Sequence, residues 1–395
     1  MTIQAALDQQ VELESLLDSH QELSLDVAHV TKLLQGGYEQ PVLILDLDIV
    51  RQKYDRFEAA MPEISPHYAV KANPDIRVLK ALKEKGCKFE IASIQELDLL
   101  LSIGVDAATV HYSNPVKPSA FIKYAASKGV RWFAFDSKEE LGKIQSLVPD
   151  AKLYLRFDTP NIGSDWPLSG KFGAKLRDID DILDEAIQLQ ANLCGLTFHV
   201  GSQCRNVDNW NQAIDTAKKI FNSMVSRGLT PELLNIGGGY PVRLTKPIPS
   251  IEYIGNVIKG ALRDIDEGIQ IAAEPGRYMV SDAAYFVCQV IGTSIKGDER
   301  WMYLDAGVFG GLMECTQGIQ YQIDVNNKSG NEVPWYVAGP SCDSVDVLGR
   351  EQMLPATTAE GDLLYFPNAG AYTTVYANEF NGFPLPKTLI LNERG

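Results

Sequence analysis

The chain has 395 residues, 45% of them apolar and 22% charged, a composition typical of a globular protein with one large and one smaller domain. Its formal net charge of -15 at pH 7 argues against nucleic acid or an anionic membrane as a partner. The six cysteines lack metal-binding spacing and no apolar run could span a bilayer, so we expect a cytoplasmic protein without a metal site.

The N-terminal region begins with an amphipathic helical pattern at residues 6–17, and a strand-like run follows at Val42–Leu47. Eight further strand-like runs come next, and amphipathic helical stretches separate most of them: residues 66–70, 88–92, 109–112, 131–135, 152–157, 195–200, 232–236 and 269–273. Repeated strand–helix units predict a parallel sheet, and eight of them predict a closed (β/α)8 barrel. An open, doubly wound sheet is the alternative.

The pattern changes near Val280. Short β-prone runs then alternate with Gly, Pro, Asn and Asp to the end of the chain. This pattern predicts a compact antiparallel β domain at the C-terminus.

Lys71, at the end of the first barrel strand, is the leading candidate for a nucleophile. Residues 68–70 are apolar, and Asn73-Pro74 breaks the strand just beyond the lysine. Burial would lower the pKa of the amine and free it to form a Schiff base. The alternative is a lysine whose ammonium simply reaches solvent.

Other polar residues and glycines also end predicted strands, and in a parallel barrel these ends form the active site. The set comprises Lys71, Glu90, Asn114, Asp136, Arg156, His199, Gly237–Gly239 and Glu274. A lysine, an imidazole, three successive glycines and a carboxylate on separate strands are typical of a cofactor site.

Several of these residues have two interpretations. The three glycines could let backbone N–H groups close on a phosphate, with Ser202 and Arg277 completing the cradle, or could form only a flexible turn. Glu274 could pair with Arg277 or with a protonated ring nitrogen of a cofactor. His199 could be a core residue or could stack on that ring.

Two further candidates lie in the C-terminal part. Cys342, in the segment G-P-S-C-D-S-V-D, is either a proton donor or a small buried hydrophobic residue. Tyr372, in N-A-G-A-Y-T, offers a phenol to a phosphate or is a core ring.

Together these motifs resemble the fold-type III pyridoxal-phosphate decarboxylases, the alanine-racemase-like group, and within it the ornithine/lysine decarboxylases. The resemblance runs from about Val42 to Phe383. It rests on an ordered set of segments: H-Y-A-V-K-A-N, F-H-V-G-S, G-G-G-Y-P, A-E-P-G-R-Y, G-P-S-C-D-S-V-D, Y-F-P-N-A-G-A-Y-T and E-F-N-G-F-P.

The resemblance implies pyridoxal 5'-phosphate as the cofactor, with Lys71 carrying it, Glu274 facing the ring nitrogen and His199 stacked on the ring. It also implies cofactor contacts from a larger set: Glu90, Arg156, Ser202, Gly237, Gly238, Gly239, Gly276, Arg277 and Tyr372. The catalytic set it implies is Lys71, Cys342, His199 and Glu274, and Cys342 would act in the partner subunit of a homodimer with shared active sites.

The resemblance also implies domain limits. Residues 1–47 would be an N-terminal segment that packs with the β domain, residues 48–282 the barrel that binds the cofactor, and residues 283–395 the C-terminal β domain.

The substrate implied is a basic L-amino acid. Diaminopimelate decarboxylases, which bind a second carboxylate, have the pattern C-E-S at this place, whereas here Asp343 follows Cys342. The aspartate suits the distal ammonium of a basic amino acid. Cys342, Glu314 and Tyr372 are further substrate-binding candidates. Gly318 stands near the point where eukaryotic ornithine decarboxylases carry an additional aspartate, so the preference between ornithine and lysine is left open.

We therefore expect decarboxylation of L-ornithine to putrescine, or of lysine to cadaverine, in polyamine biosynthesis. Alternatives are a diaminopimelate or arginine decarboxylase, a racemase of the same fold, and a non-catalytic homologue that binds a regulatory protein.

Overall fold

The computed structural model describes residues 25, 27–168, 170–325, 328 and 330–393, so the predicted helix at residues 6–17 lies outside the described residues. The chain forms two compact units. The first contains Tyr54–Pro241 and Ile248–Gly276, and the second contains the described part of His20–Lys53, Val242–Pro247 and Arg277–Gly395. The units thus divide at residues 53/54 and 276/277, whereas the sequence placed its boundaries at 47/48 and 282/283.

The strands, in chain order, are β1 (Val42–Asp46), β2 (Ser65–Ala69), β3 (Lys88–Ile91), β4 (His111–Tyr112), β5 (Trp132–Phe135), β6 (Lys152–Arg156), β7 (Ser164–Trp166), β8 (Leu193–Thr197), β9 (Ser202–Cys204), β10 (Leu233–Asn235), β11 (Gln270–Ala273), β12 (Ala284–Lys296), β13 (Glu299–Leu304), β14 (Asp324–Val325), β15 (Glu332–Ala338), β16 (Val347–Pro355), β17 (Leu363–Pro367) and β18 (Lys387–Leu391). The α-helices are α1 (Val27–Leu33), α2 (Leu47–Ala60), α3 (Ile76–Glu84), α4 (Ile94–Ser102), α5 (Ser119–Ser127), α6 (Lys138–Leu147), α7 (Ile179–Gln188), α8 (Asp208–Ser226), α9 (Ile251–Leu262) and α10 (Arg277–Val280).

The first unit is built on a closed barrel of parallel strands in the order β10-β11-β2-β3-β4-β5-β6-β8. Every one of the eight predicted barrel runs overlaps one of these strands. The predicted barrel is therefore confirmed, and the open-sheet alternative is excluded. Strand β8 is buried along its whole length, as expected for a parallel strand covered on both faces.

Serine caps start three of the helices that follow barrel strands. The side chains of Ser93, Ser137 and Ser250 accept hydrogen bonds from the backbone N–H three residues on, at the first turns of α4, α6 and α9. Because these caps fix where a helix begins, they also fix the far end of each loop that carries polar residues from the carboxyl end of a strand.

Aromatic side chains and two histidines fill part of the barrel. His67 on β2 and His111 on β4 stack with their ring centroids 3.9 Å apart, and Trp132 and Tyr154 lie against His111. Burial, with a smaller effect from Lys88, lowers the pKa of His67 to about 3. Both rings are neutral at pH 7, since burial and then His67 lower the pKa of His111 as well.

The second unit is built on a mixed sheet. Its main path is β14-β17-β12-β13-β15-β16, and β1 pairs with both β12 and β18. Most pairs are antiparallel, as predicted, but β1–β18 and β13–β15 are parallel. The prediction missed β1–β18 because its two strands come from opposite ends of the chain. Within the described ranges, no helix has the length and apolar character that crossing a bilayer requires.

Candidate active site

Lys71 lies in a short helical turn, Val70–Ala72, immediately after β2. Its Nζ is 2.7 Å from Oε1 of Glu90 on β3. The lysine side chain is 45% exposed, whereas that of Glu90 is 1% exposed. The barrel therefore does not bury Lys71 as the sequence pattern suggested, because nearly half of its side chain is exposed.

Glu90 is the buried partner in that pair. Burial raises the pKa of Glu90 to about 7, since desolvation and the nearby Glu274 outweigh the attraction of Lys71. The Oε2 of Glu90 has no hydrogen-bond partner among the described residues. Glu90 therefore changes charge near neutral pH, next to the candidate nucleophile.

Glu274 follows β11 and is held by neutral donors. Its Oε1 accepts hydrogen bonds from Ser113 Oγ at 2.5 Å and from Asn235 Nδ2 at 2.6 Å. Tyr154 OH lies 2.9 Å from Ser113 Oγ and must donate to it, because the single hydroxyl proton of Ser113 already points at Glu274. The predicted alternative in which Glu274 pairs with Arg277 finds no support, because Arg277 pairs with Glu314.

The sequence interpretation missed the residues that hold Glu274. Ser113 directly follows β4, Asn235 is the last residue of β10, and Tyr154 lies within β6. Ser113 and Asn235 had a usable signal, because both are polar residues at the carboxyl ends of barrel strands. Asn114 and Asp136, which were predicted there, bond backbone groups: Asn114 Nδ2 donates to the Val116 carbonyl two residues on, and Asp136 Oδ2 accepts from the Gly173 N–H, 37 positions away.

His199 lies just beyond β8 and is a neutral imidazole. Its Nδ1 accepts a hydrogen bond from the Gly201 N–H at 3.0 Å. Burial, followed by the positive charges of Arg156 and Lys71, lowers its pKa well below the usual value. With Nδ1 accepting, the ring proton is on Nε2.

Gly237–Gly239 follow β10 in a packed turn. A Cβ on Gly237 would lie 2.1 Å from the Phe198 carbonyl oxygen, and one on Gly239 would lie 2.3 Å from that of Gly201. A Cβ on Gly238 would lie 2.6 Å from the Glu274 carbonyl oxygen. The glycines are required by close backbone approach, so the interpretation as a merely flexible turn is wrong.

The remaining candidates in the first unit also lie at strand ends. Arg156 ends β6, and burial lowers its pKa although Glu274 and Asp136 act in the opposite direction. Ser202 begins β9, two residues before Cys204, whose N–H donates to the Gly239 carbonyl. Gly276 is buried in the turn between β11 and α10.

Arg277, the first residue of α10, belongs to the second unit. Its Nη2 donates to Oε1 of Glu314 at 2.5 Å, and its guanidinium lies 4.9 Å from the centre of the Tyr372 ring. Tyr372 adopts φ +56°, a left-handed conformation that is strained for a bulky residue. The Nε and Nη1 of Arg277 are buried and have no hydrogen-bond partner among the described residues.

Cys342 and Asp343 lie on the surface of the second unit. The Cys342 thiol donates to Asn381 Oδ1 at 3.2 Å, so the alternative of a buried hydrophobic residue is wrong. Asp343 Oδ1 accepts from the Val345 N–H within the same turn. The buried Asp346 fixes this turn, because its carboxylate accepts from the backbone of Val308 and Ser341.

Comparison with known proteins settles the family. Residues 47–281 match the family described as "Pyridoxal-dependent decarboxylase, pyridoxal binding domain". The chain belongs to this family of decarboxylases. It is 34% identical to the lysine/ornithine decarboxylase of Selenomonas ruminantium over 369 aligned residues, and this alignment covers 92% of each chain. It is also 34% identical over 363 residues to the ornithine decarboxylase of Schizosaccharomyces pombe, covering 88% of this chain and 83% of the relative.

Another relative has a different kind of name. Antizyme inhibitor 2 of Xenopus laevis is 35% identical over 373 residues, covering 90% of this chain and 81% of that protein.

Solved structures agree with the family. The arginine decarboxylase of Paramecium bursaria Chlorella virus, bound to agmatine, superimposes with a TM-score of 0.87 at 30% identity, covering 92% of this decarboxylase and all of the viral chain. The lysine/ornithine decarboxylase of Vibrio vulnificus, complexed with cadaverine, superimposes with a TM-score of 0.86 at 32% identity, covering 93% and 100%.

The decarboxylase has groups that suit pyridoxal 5'-phosphate. The first unit offers a solvent-reaching lysine, a carboxylate fixed by two neutral donors and a backbone turn with no room for side chains. The second unit offers a buried guanidinium with two nitrogens that no described residue pairs, which suits the phosphate of the cofactor.

Proposed function

We propose that this decarboxylase removes the α-carboxylate of a basic L-amino acid, and that L-ornithine, giving putrescine, is its preferred substrate, with L-lysine also accepted. The observation that carries the proposal is the exposed pair of Cys342 and Asp343, a thiol directly followed by a carboxylate. The thiol suits proton transfer, and the carboxylate suits the distal ammonium of a diamino acid. The names of the Selenomonas and Vibrio relatives support the same substrate class.

The cofactor, when bound, accepts the electron pair that the departing carboxylate leaves behind. Lys71 would hold it, and Glu274 would face its ring nitrogen. Ser113 and Asn235 hold Glu274 by hydrogen bonds to one oxygen, so its carboxylate has a fixed orientation before the cofactor arrives. His199, neutral and held at Nδ1 by Gly201, would lie against the ring without adding a positive charge.

The phosphate would be bound by backbone and side chains together. Gly237–Gly239 and Ser202 would supply backbone and hydroxyl donors, and Arg277 would supply Nε and Nη1, which have no partner in the described part of the chain. Arg156, Glu90, Gly276 and Tyr372 complete the proposed cofactor contacts.

The substrate loses its α-carboxylate as carbon dioxide and gains one proton at Cα. We assign that proton to the Cys342 thiol and the distal ammonium contact to Asp343. Because both side chains are exposed on their own unit, we infer that they serve the barrel of a second copy, in a homodimer with shared active sites. The free thiols of all six cysteines support the expected cytoplasmic setting.

The non-catalytic alternative has one relative in its favour, antizyme inhibitor 2. Against it, this chain has a lysine at 71 and a cysteine at 342, the two side chains on which the proposed chemistry depends.

The test is a substrate panel. Purified protein with added pyridoxal 5'-phosphate is incubated with L-ornithine, L-lysine, L-arginine and meso-diaminopimelate, and carbon dioxide and amine products are measured, with Lys71→Ala as the blank. We expect putrescine as the fastest product and cadaverine second. Agmatine as the main product would overturn the substrate proposal, and a protein that binds the cofactor but releases no carbon dioxide would favour the non-catalytic alternative.

A further inference from the structure

The surroundings of Glu314 do not suit the substrate-binding role expected from the sequence. It lies in the helical turn Met313–Gln317 and is 3% exposed. Its Oε1 accepts from Arg277 at 2.5 Å, and its Oε2 accepts from the Tyr321 hydroxyl at 3.3 Å. Both oxygens therefore already have partners within the second unit, and the carboxylate is poorly placed to receive a substrate ammonium.

Arg277 is held on two sides. Glu314 accepts from one terminal nitrogen, and Cζ of the guanidinium lies 4.9 Å from the centre of the Tyr372 ring. A guanidinium has five N–H groups in a rigid plane, so a bond to one terminal nitrogen and a ring close to Cζ restrict where the other N–H groups point. Those other groups include the N–H groups of Nε and Nη1, two buried nitrogens without a partner among the described residues.

The burial of Nε and Nη1 without acceptors among the described residues needs an explanation. Leaving buried N–H groups of a charged side chain without acceptors is unfavourable, and most structures avoid it. A phosphate group carries several acceptor oxygens and forms strong, charge-assisted hydrogen bonds with arginine, so it suits these N–H groups. Burial acts to lower the pKa of Arg277, but Glu314 outweighs it and raises that pKa, so the charge is retained.

We propose that Glu314 is a positioning residue, which fixes the guanidinium of Arg277 so that the N–H groups of its Nε and Nη1 remain available to the phosphate of the cofactor, while Tyr321 fixes Glu314. This inference rests on the phosphate role given to Arg277 in the proposed function. It also removes Glu314 from the substrate contacts. Since Gly318 has no side chain to offer, Asp343 is left as the leading carboxylate for the distal ammonium.

The test compares two ligands that differ only in the phosphate. Affinities of the apoprotein for pyridoxal 5'-phosphate and for pyridoxal are measured by titration, and their ratio reports the phosphate contact alone. Glu314→Leu removes the anchor, and we expect the ratio to fall on the order of tenfold or more, since hydrogen bonds to charged groups are strong. Glu314→Gln keeps the shape and an acceptor oxygen, so we expect it to retain the ratio within about threefold.

Two controls separate positioning from other effects. Asp282→Leu removes the carboxylate partner of the buried Lys53 in the same unit, 2.6 Å away, and should leave the ratio unchanged. If Glu314→Leu cannot be obtained folded, Tyr321→Phe removes the hydroxyl that holds Glu314 without leaving a charge unpaired. We expect it to lower the ratio severalfold with little change in pyridoxal affinity.

The outcomes distinguish the inference from the function on which it rests. Arg277→Met should itself lower the ratio, and if it does not, the phosphate role of Arg277 is wrong. If Arg277→Met lowers the ratio but Glu314→Leu and Tyr321→Phe do not, only the positioning role is wrong. Tighter cofactor binding in both Glu314 variants would also overturn it, because Glu314 would then merely weaken the attraction of Arg277 for the phosphate.

Discussion

Lys71 and Glu90 form an ion pair in which one partner is accessible and the other is not: Nζ and Oε1 are 2.7 Å apart, with 45% of the lysine side chain exposed and 1% of the glutamate. The pKa of Glu90 is raised to about 7, mainly by burial. Below that pH the glutamate is neutral, and above it the carboxylate stabilises the ammonium of Lys71. The reactivity of Lys71 is therefore coupled to a buried group that titrates near neutrality.

Glu90→Gln removes this coupling. At pH 8 the wild-type Glu90 is ionised and its carboxylate attracts the Lys71 amine, so we expect the variant to increase amine labelling of Lys71 by roughly tenfold. At pH 5.5 Glu90 is protonated in the wild type, and the two proteins should be labelled equally. The measurement is the initial rate of acylation of the apoprotein, followed by mass spectrometry of the peptide that contains Lys71.

Glu140→Gln is the matched control, because Glu140 is a buried carboxylate of the same barrel that pairs with Lys117 instead. It should not change the labelling of Lys71. A Glu90→Gln variant labelled like the wild type at both pH values would contradict the coupling.

The sequence predicted what depends on local pattern. The eight barrel strands were found because each is a short apolar run between helical stretches, and most of the candidate residues were found because polar groups and glycines end those runs. Partners far apart in the chain could not be found this way. Ser113 and Glu274 are separated by 161 positions, and Arg277 and Glu314 by 37.

The sequence also allowed more than one pairing of the charged residues. Glu274 and Glu314 were both candidate carboxylates, and proximity in the sequence favoured a pair between Glu274 and Arg277. The structure pairs Arg277 with Glu314 and gives Glu274 neutral donors. Only packing decides which of two carboxylates a buried guanidinium meets.

The stacked histidines of the barrel predict sensitivity to acid. The pKa of His67 is lowered from 6.5 to about 3. Between these two pH values the His67 side chain is therefore protonated in the unfolded chain but neutral in the folded barrel. Stability is therefore intact above pH 6.5 and is lost as the pH falls toward 3, by up to about 1.4 kcal/mol per pH unit for one such group. His111 stacks on the His67 ring and the charge of Lys88 opposes its protonation, and neither neighbour is a carboxylate that would stabilise a positive charge on it.

His67→Gln should reduce this slope, since it removes one group that titrates in the unfolded state alone. We would measure the free energy of unfolding in urea between pH 5 and 7.5. His29→Gln replaces an exposed histidine and should keep the wild-type slope. An unchanged slope in His67→Gln would show that His67 is protonated in the folded barrel.

The proposed shared site predicts complementation. Lys71→Ala and Cys342→Ala should each be inactive in carbon dioxide release, because each removes one side chain required for the chemistry. When the two proteins are mixed and their subunits exchange, about half of the dimers are heterodimers with one intact site and one doubly defective site. We therefore expect about a quarter of the wild-type activity per dimer population, measured after subunit exchange is verified with differently tagged chains. No recovery after verified exchange would mean that each chain builds its own site.

The last prediction concerns Asp343 and the substrate. A diamino acid brings a distal ammonium into a site from which water is largely excluded, and leaving that charge unpaired costs several kcal/mol. Asp343→Asn keeps the shape and removes the charge, so kcat/KM for L-ornithine should fall by roughly 2–4 kcal/mol in transition-state terms. Binding of pyridoxal 5'-phosphate should be almost unchanged, and turnover of L-norvaline, which lacks the distal ammonium, should change little. Glu360→Gln, an exposed carboxylate elsewhere in the second unit, is the control for net charge. If Asp343→Asn kept wild-type activity on ornithine and lysine alike, Glu90 would become the better candidate, because its Oε2 is buried without a partner among the described residues.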